Sequence, residues 1–348
     1  MATLGLTLPA TKGKQGRRTF FVVTVPNSVL NNFFTVNMDP PEEASQRQLD
    51  PKHAHDIRDY LIANPDDYVL PTLVYAIDRE PDYLASALSE SVGVITIPFG
   101  TNLRSLDGQH RRQGLNEAIE RRSLFAEDMT SVLLYVEPSV VSRRQMFSDM
   151  NATPKVVSKA QNVIFNNRSP FSRAANELSR RHHLLAGRVE MHKASIPASS
   201  PFFYTVSAVE DVLKRLQVGL AGRVRSPQSF HQDSIQERGA AFFDVLHRVR
   251  PEFDAVMSGR ADLMELRNAS IIFSGTTLRV LAGAVFLAAL ADGRHGRVDA
   301  VADGIRSIDF TPNATLWQST GFVSPGKSTP SARNQEILAA TREVARLL

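Results

Sequence analysis

The 348-residue chain contains no cysteine. Thiolate nucleophiles, redox dithiols, disulfide frameworks and cysteine-ligated zinc are thereby excluded. No Gly-x-Ser-x-Gly segment and no His-Glu-x-x-His segment occurs, which removes the nucleophile-elbow hydrolases and the zincin metalloproteases. His182, His183 and His192 lack zinc-site spacing, so no metal hydrolase is expected. Long apolar runs are missing as well. The longest, Val280 to Leu290, falls short of the roughly 18 to 20 residues that span a bilayer, and reads as a buried core helix. Met1 to Ala10 lacks the basic residues that open a secretory signal; Lys12, Lys14, Arg17 and Arg18 come after it. The expected location is the cytoplasm, with no membrane partner. Tryptophan occurs once, and Trp317, like Phe322, reads as a packing anchor rather than a base-stacking residue.

What is present is an ordinary globular composition, 43% hydrophobic and 22% charged, on a chain long enough for one large or two intimate domains. Strand patterns occur at Thr19 to Val25, Thr72 to Ile77, Val94 to Ile97 and Ser131 to Val136. Helices are expected after Gly108, after Pro138 and after Asp50-Pro51, where Asp50 is an N-cap and Pro51 takes the first helical position. From Pro170 the pattern is helical: Phe171 to His183, Thr205 to Val218, Ser234 to Val249, Ala261 to Asn268, Thr276 to Leu290 and Asn334 to Leu347. The expected fold class is α+β, with an α/β domain over 1–165 and a mostly helical domain over 166–348.

The densest chemistry lies at Leu106-Asp107-Gly108-Gln109-His110-Arg111-Arg112-Gln113-Gly114-Leu115, between a strand pattern ending near Phe99 and a helix pattern. With Asp107 as N-cap, the N–H groups of Gly108, Gln109 and His110 would point outward from a helix start that favours anions. Arg111 and Arg112 add charge. Capping alone explains Asp107 and Gly108 but not Gln109, His110 and Arg111 together.

Asp107-Gly108-Gln109-His110-Arg111 resembles the signature of the DGQHR-domain family, which includes the DndB-like proteins of bacterial DNA phosphorothioation. The likeness continues through Gln46-Arg47, Tyr60-Leu61, Leu70 to Val74, Gln145 to Asn151 and Lys155 to Ser158. It is weaker at Ser274 to Thr277 and Asn313 to Trp317. It implies a ParB/sulfiredoxin-like fold for the first domain, in which a strand, a loop and a helix hold nucleotide phosphates. Sulfiredoxin has a reactive thiol where this chain has Gln109, so only phosphate binding and nucleotide hydrolysis carry over. Gly108-Gln109-His110-Arg111 also departs from the ParB-type Gly-Glu-Arg-Arg, which puts CTP preference in doubt.

On this resemblance Gly108, Gln109, Arg111 and Arg112, with Asn151 and Lys155 from across the pocket, are candidate nucleotide or phosphate ligands. Asp149 is a candidate Mg²⁺ ligand. A helix C-terminus finished by Asn151 and a Pro-stopped turn accounts for that second segment equally well. A basic stretch from Arg168 to Lys193, with Arg173, Arg180 and Arg181, and a second patch at Arg223 and Arg225, are candidate DNA contacts. A solvated helix face would carry the same bias. Gly321 to Ser328 satisfies the P-loop pattern literally, but no apolar strand precedes it and Pro330 follows at once, so it reads as a chance match.

Two functions follow. The first is a DndB-like DNA-binding regulator of a DNA modification and antiphage defence system, with a nucleotide-binding loop. The second is a DNA-stimulated NTP hydrolase using Asp107 and His110 with ATP or another NTP and Mg²⁺. Duplex DNA, other proteins of the modification cluster and a second copy of the chain are the expected partners.

Overall fold

The computed structural model describes residues 4–34, 49–152, 157–222, 224, 227–290 and 298–348. It divides into two compact units, residues 1–155 and 156–348.

The first unit is built on a seven-stranded sheet of β1 (Gly5–Gln15), β2 (Arg18–Pro26), β3 (Leu73–Ile77), β4 (Asp82–Ser86), β5 (Ser89–Pro98), β6 (Leu103–Asp107) and β7 (Met129–Val136), in the order β4-β5-β1-β2-β7-β3-β6. Neighbours are antiparallel except β3 and β7, which run parallel from Leu73 opposite Val132 to Ile77 opposite Val136. The period of two sorts side chains to the two faces. Leu73, Tyr75, Ile77, Val132 and Leu134 enter one core, with Leu61, Leu115 and Ala118 from helices. Val74, Ala76 and Leu106 enter a smaller one on the other face, against Met146.

The helices of this unit are α1 (Asn27–Phe33), α2 (Pro51–Ala63), α3 (Gln109–Arg121) and α4 (Val140–Ala152). Asp50 caps α2 as expected, its side chain accepting from the Lys52 N–H at 3.0 Å. The first three helices cover the larger core and α4 covers the smaller. Gly114 permits the crossing of α2 and α3: a Cβ there would stand 2.7 Å from the Ala54 carbonyl oxygen and 2.8 Å from Ile57. Arg58 donates across this crossing to Glu117 at 3.2 Å.

The second unit holds α5 (Lys159–Phe165), α6 (Pro170–Arg181), α7 (Val206–Val218), α8 (Gln232–Val249), α9 (Pro251–Met257), α10 (Leu263–Ala269), α11 (Gly275–Val285), α12 (Ala302–Ser307), α13 (Thr315–Ser319) and α14 (Asn334–Leu347). Ala160 and Val163 of α5 belong to its core, so the division falls ahead of α5 rather than behind it. α11 is buried on nearly every side, and a π-helical turn over Phe286–Leu290 follows it. Among the described residues, no helix is long and apolar enough to cross a membrane. The molecule is of the expected α+β class.

Candidate functional site

The strand entering the glycine turn is β6, not the pattern ending near Phe99. Asp107 is its last residue. The N-cap of α3 is therefore Gly108 rather than Asp107: its backbone sits at φ 97° and ψ 13°, and its carbonyl accepts from the Arg112 N–H at 2.9 Å. That left-handed conformation suits glycine, and a Cβ there would also stand 2.4 Å from Leu73 Cδ2. The first-turn donors belong to Gln109, His110 and Arg111, one residue later than the sequence implied.

Asp107 does not cap; it holds Arg111. The guanidinium donates to Asp107 Oδ2 at 2.5 Å and to the Thr72 carbonyl at 3.4 Å. This pair fixes the Arg111 side chain over the turn, and two engaged N–H groups leave the others of its five donors for a ligand. His110 reaches to the neighbouring helix, where its Nε2 accepts from the Asp50 N–H at 2.9 Å and its ring stands edge-on to His53 at 5.0 Å. The loop and the start of α2 thus share one hydrogen bond. Arg112 is buried and points inward to Tyr75, whose hydroxyl is pushed up to about 12 by burial, against the opposing influence of Arg112 and Ser105.

Burial lowers the pKa of His110 below its ordinary 6.5, the neighbouring His53 lowers it further, and Asp50 and Asp107 oppose both. Accepting from Asp50 also requires a neutral ring. The folded protein therefore binds fewer protons here than the unfolded chain. This contribution to stability is complete above the unfolded pKa and is lost as pH falls through the folded one. Between about pH 7.5 and pH 5.5 the wild type is expected to lose more thermal stability than His110→Gln, which keeps an acceptor but does not titrate. Parallel losses in both proteins would refute this role.

The remaining expected residues are more scattered. Asp149 and Asn151 lie exposed on α4, where Asp149 accepts from Gln145 at 2.7 Å and Asn151 donates to the Phe147 carbonyl at 2.8 Å. α4 covers the sheet face opposite to α3, and its Met150, between these two residues, packs against the cluster that holds Leu106, the residue before Asp107. Gln46, Arg47, Lys155, Arg223 and Arg225 lie outside the described residues.

In the second unit Arg173 donates to Gln232 at 2.6 Å and to the Asn167 and Arg168 carbonyls. Arg168 and Arg180 are exposed, and Arg181, 80% exposed, meets Glu177 one turn back at 2.7 Å. Arg180 and Arg181 form the last turn of α6, where basic residues also complement the helix dipole. Gly321 to Ser328 forms a loop after α13 with no strand before it. Ser328, with Thr329, instead lines a cavity of about 520 Å³ alongside Asp211, Arg267, Arg279 and Thr276. Sequence reasoning gave no sign of this cavity, because its walls come from segments more than a hundred residues apart.

A family model described as DndB, DNA-sulfur modification-associated, matches residues 8–348, nearly the whole chain. No curated protein and no solved structure matches it.

Proposed function

The chain belongs to the DndB family of DNA-sulfur modification-associated proteins, and on that premise we propose that it is a DNA-binding regulator of phosphorothioation, with a phosphate-binding loop at residues 107–111. The observation that carries the loop reading is the coincidence of three groups at one turn. A left-handed Gly108 opens α3, the first-turn N–H groups follow it, and Arg111 is held over them by Asp107. A phosphoryl group of a nucleotide, ATP or another NTP, is the ligand of matching charge and size.

The proposed activity of the loop is binding rather than hydrolysis. The Nε2 lone pair of His110 accepts from the Asp50 N–H and Asp107 accepts from Arg111, and these contacts would have to open before either residue acted as a general base. For duplex DNA the supporting feature is the exposed Arg180 and Arg181 pair, with Arg168 nearby in the chain.

Two measurements test the two parts. Arg111→Ala is expected to weaken ATP binding at least about tenfold by calorimetry, the loss of a charge-assisted contact. The Arg180→Ala, Arg181→Ala double variant is expected to lower the slope of log K against log salt for duplex DNA by about 1.8, two phosphate contacts' worth. Unchanged ATP affinity would remove the loop from the proposal, and an unchanged salt slope would remove the end of α6.

A further inference from the structure

We infer that His183 and Asp244, joined by His182, form a site for a first-row divalent metal ion of the zinc, cobalt or nickel class. These residues come from the end of α6 and the middle of α8, and their ligand atoms all lie within 4.8 Å of one another. His182 Nε2 is 3.1 Å from Asp244 Oδ1, and His183 Nδ1 is 3.7 Å from the same oxygen. Ligands about 2.0 to 2.2 Å from a tetrahedral ion stand roughly 3.3 to 3.6 Å from each other, so two of these separations need little adjustment.

Proton accounting along the cluster supplies an independent argument. The Asp254 carboxylate only accepts, so His247 Nε2, 2.7 Å away, carries a proton toward it. The other nitrogen of a neutral His247 then accepts, and it lies 2.8 Å from His183 Nε2, which must donate. In a neutral His183, Nδ1 is then left with a lone pair directed at Asp244, which is itself an acceptor. Two acceptors face each other across 3.7 Å, which is the arrangement a cation resolves. Asp254, His247 and His183 thus make the carboxylate-histidine relay that orients ligating imidazoles in metal sites.

His182 stacks on His183 with ring centroids 4.4 Å apart, and its Nδ1 accepts a long 3.3 Å bond from the Leu184 N–H. It joins as third ligand when its proton moves from Nε2 to Nδ1, at the expense of that bond. His183 and Asp244 are about half exposed, which leaves the remaining coordination positions open to water. Imidazole with a carboxylate selects borderline first-row ions over Mg²⁺ and Ca²⁺. The inference stands apart from the loop and DNA proposals.

The test is a Co²⁺ titration of the full chain without a histidine tag, followed by visible absorption. One ion per chain is expected, with Zn²⁺ displacing the signal and Mg²⁺ leaving it unchanged. His183→Ala and Asp244→Asn are expected to weaken binding more than about tenfold, and His247→Phe by about 10 to 100-fold through the relay. His192→Ala and His231→Ala should match the wild type, and circular dichroism of each variant reports its fold. Absence of a bound-Co²⁺ spectrum, or binding indifferent to His183 and Asp244, would overturn the assignment and leave an imidazolium-carboxylate pair only.

Discussion

Gly108→Ala is expected to destabilise the first unit by about 2 to 4 kcal/mol, the sum of a left-handed backbone strain and an overpacked contact. The strain arises because φ 97° is poorly tolerated by any residue with a Cβ. The overpacking arises because that Cβ would stand 2.4 Å from Leu73 Cδ2, a side chain wholly inside the larger core of the sheet. Relief of either displaces β6 from β3 or unwinds the first turn of α3, and both carry the N–H groups and Arg111 away from their common point. A urea titration should show the lower midpoint, with thermal unfolding of this unit reduced by roughly 5 to 15 °C. A variant melting within about a degree of wild type would show that the turn does not depend on its left-handed glycine.

Trp317→Ala is expected to cost the second unit about 3 to 5 kcal/mol, the range for deleting a large buried aromatic. Trp317 is completely buried, stacks on Phe310 at 5.7 Å and leans on Phe322 at 5.6 Å. Its indole N–H donates to the Asp309 carbonyl at 2.7 Å, so truncation leaves a cavity and an unmet acceptor together. Trp317→Phe, which fills most of the space and lacks the donor, should recover all but about 1 to 2 kcal/mol. Equal losses from Ala and Phe would locate the energy in the hydrogen bond instead. The outcome also bears on function: a packing anchor inside the core is not accessible for stacking on a DNA base.

The features legible in the sequence were those with a strong local period. β2, β3, β5 and β7 were marked by runs such as Phe20 to Val25 and Val92 to Ile97, and the helices of the second unit by sustained apolar faces. β1 escaped notice because Pro9 sits inside it. The structure accommodates that proline where β1 pairs with β5 alone, since the pairing with β2 begins only at Ala10. β6, Leu-Arg-Ser-Leu-Asp, has no β-branched residue, and it is a strand because the Leu103 and Leu106 side chains have opposite faces of a sheet to fill. Missing it put the N-cap one residue too early.

The glycine turn itself was readable because its residues are contiguous. The histidine cluster was not, because Asp244 and His247 lie some sixty residues beyond His182 and His183 and are brought to them only by the packing of α8 on α6. The hydrogen bond from Asp50 to His110 spans the same sequence distance, and no spacing rule anticipates it.

The pairing of β2 with β7 sets a schedule for biosynthesis. Phe20 lies opposite Tyr135, and β3 finds its parallel neighbour in the same late strand. Ribosomes add about 5 to 20 residues per second, so the first hairpin waits roughly 6 to 23 seconds for the strand that closes the sheet's centre. During that interval the core that Phe21, Val23 and Val25 enter lacks Val132 and Leu134. The nascent chain, more than the finished protein, is where this fold needs protection from association.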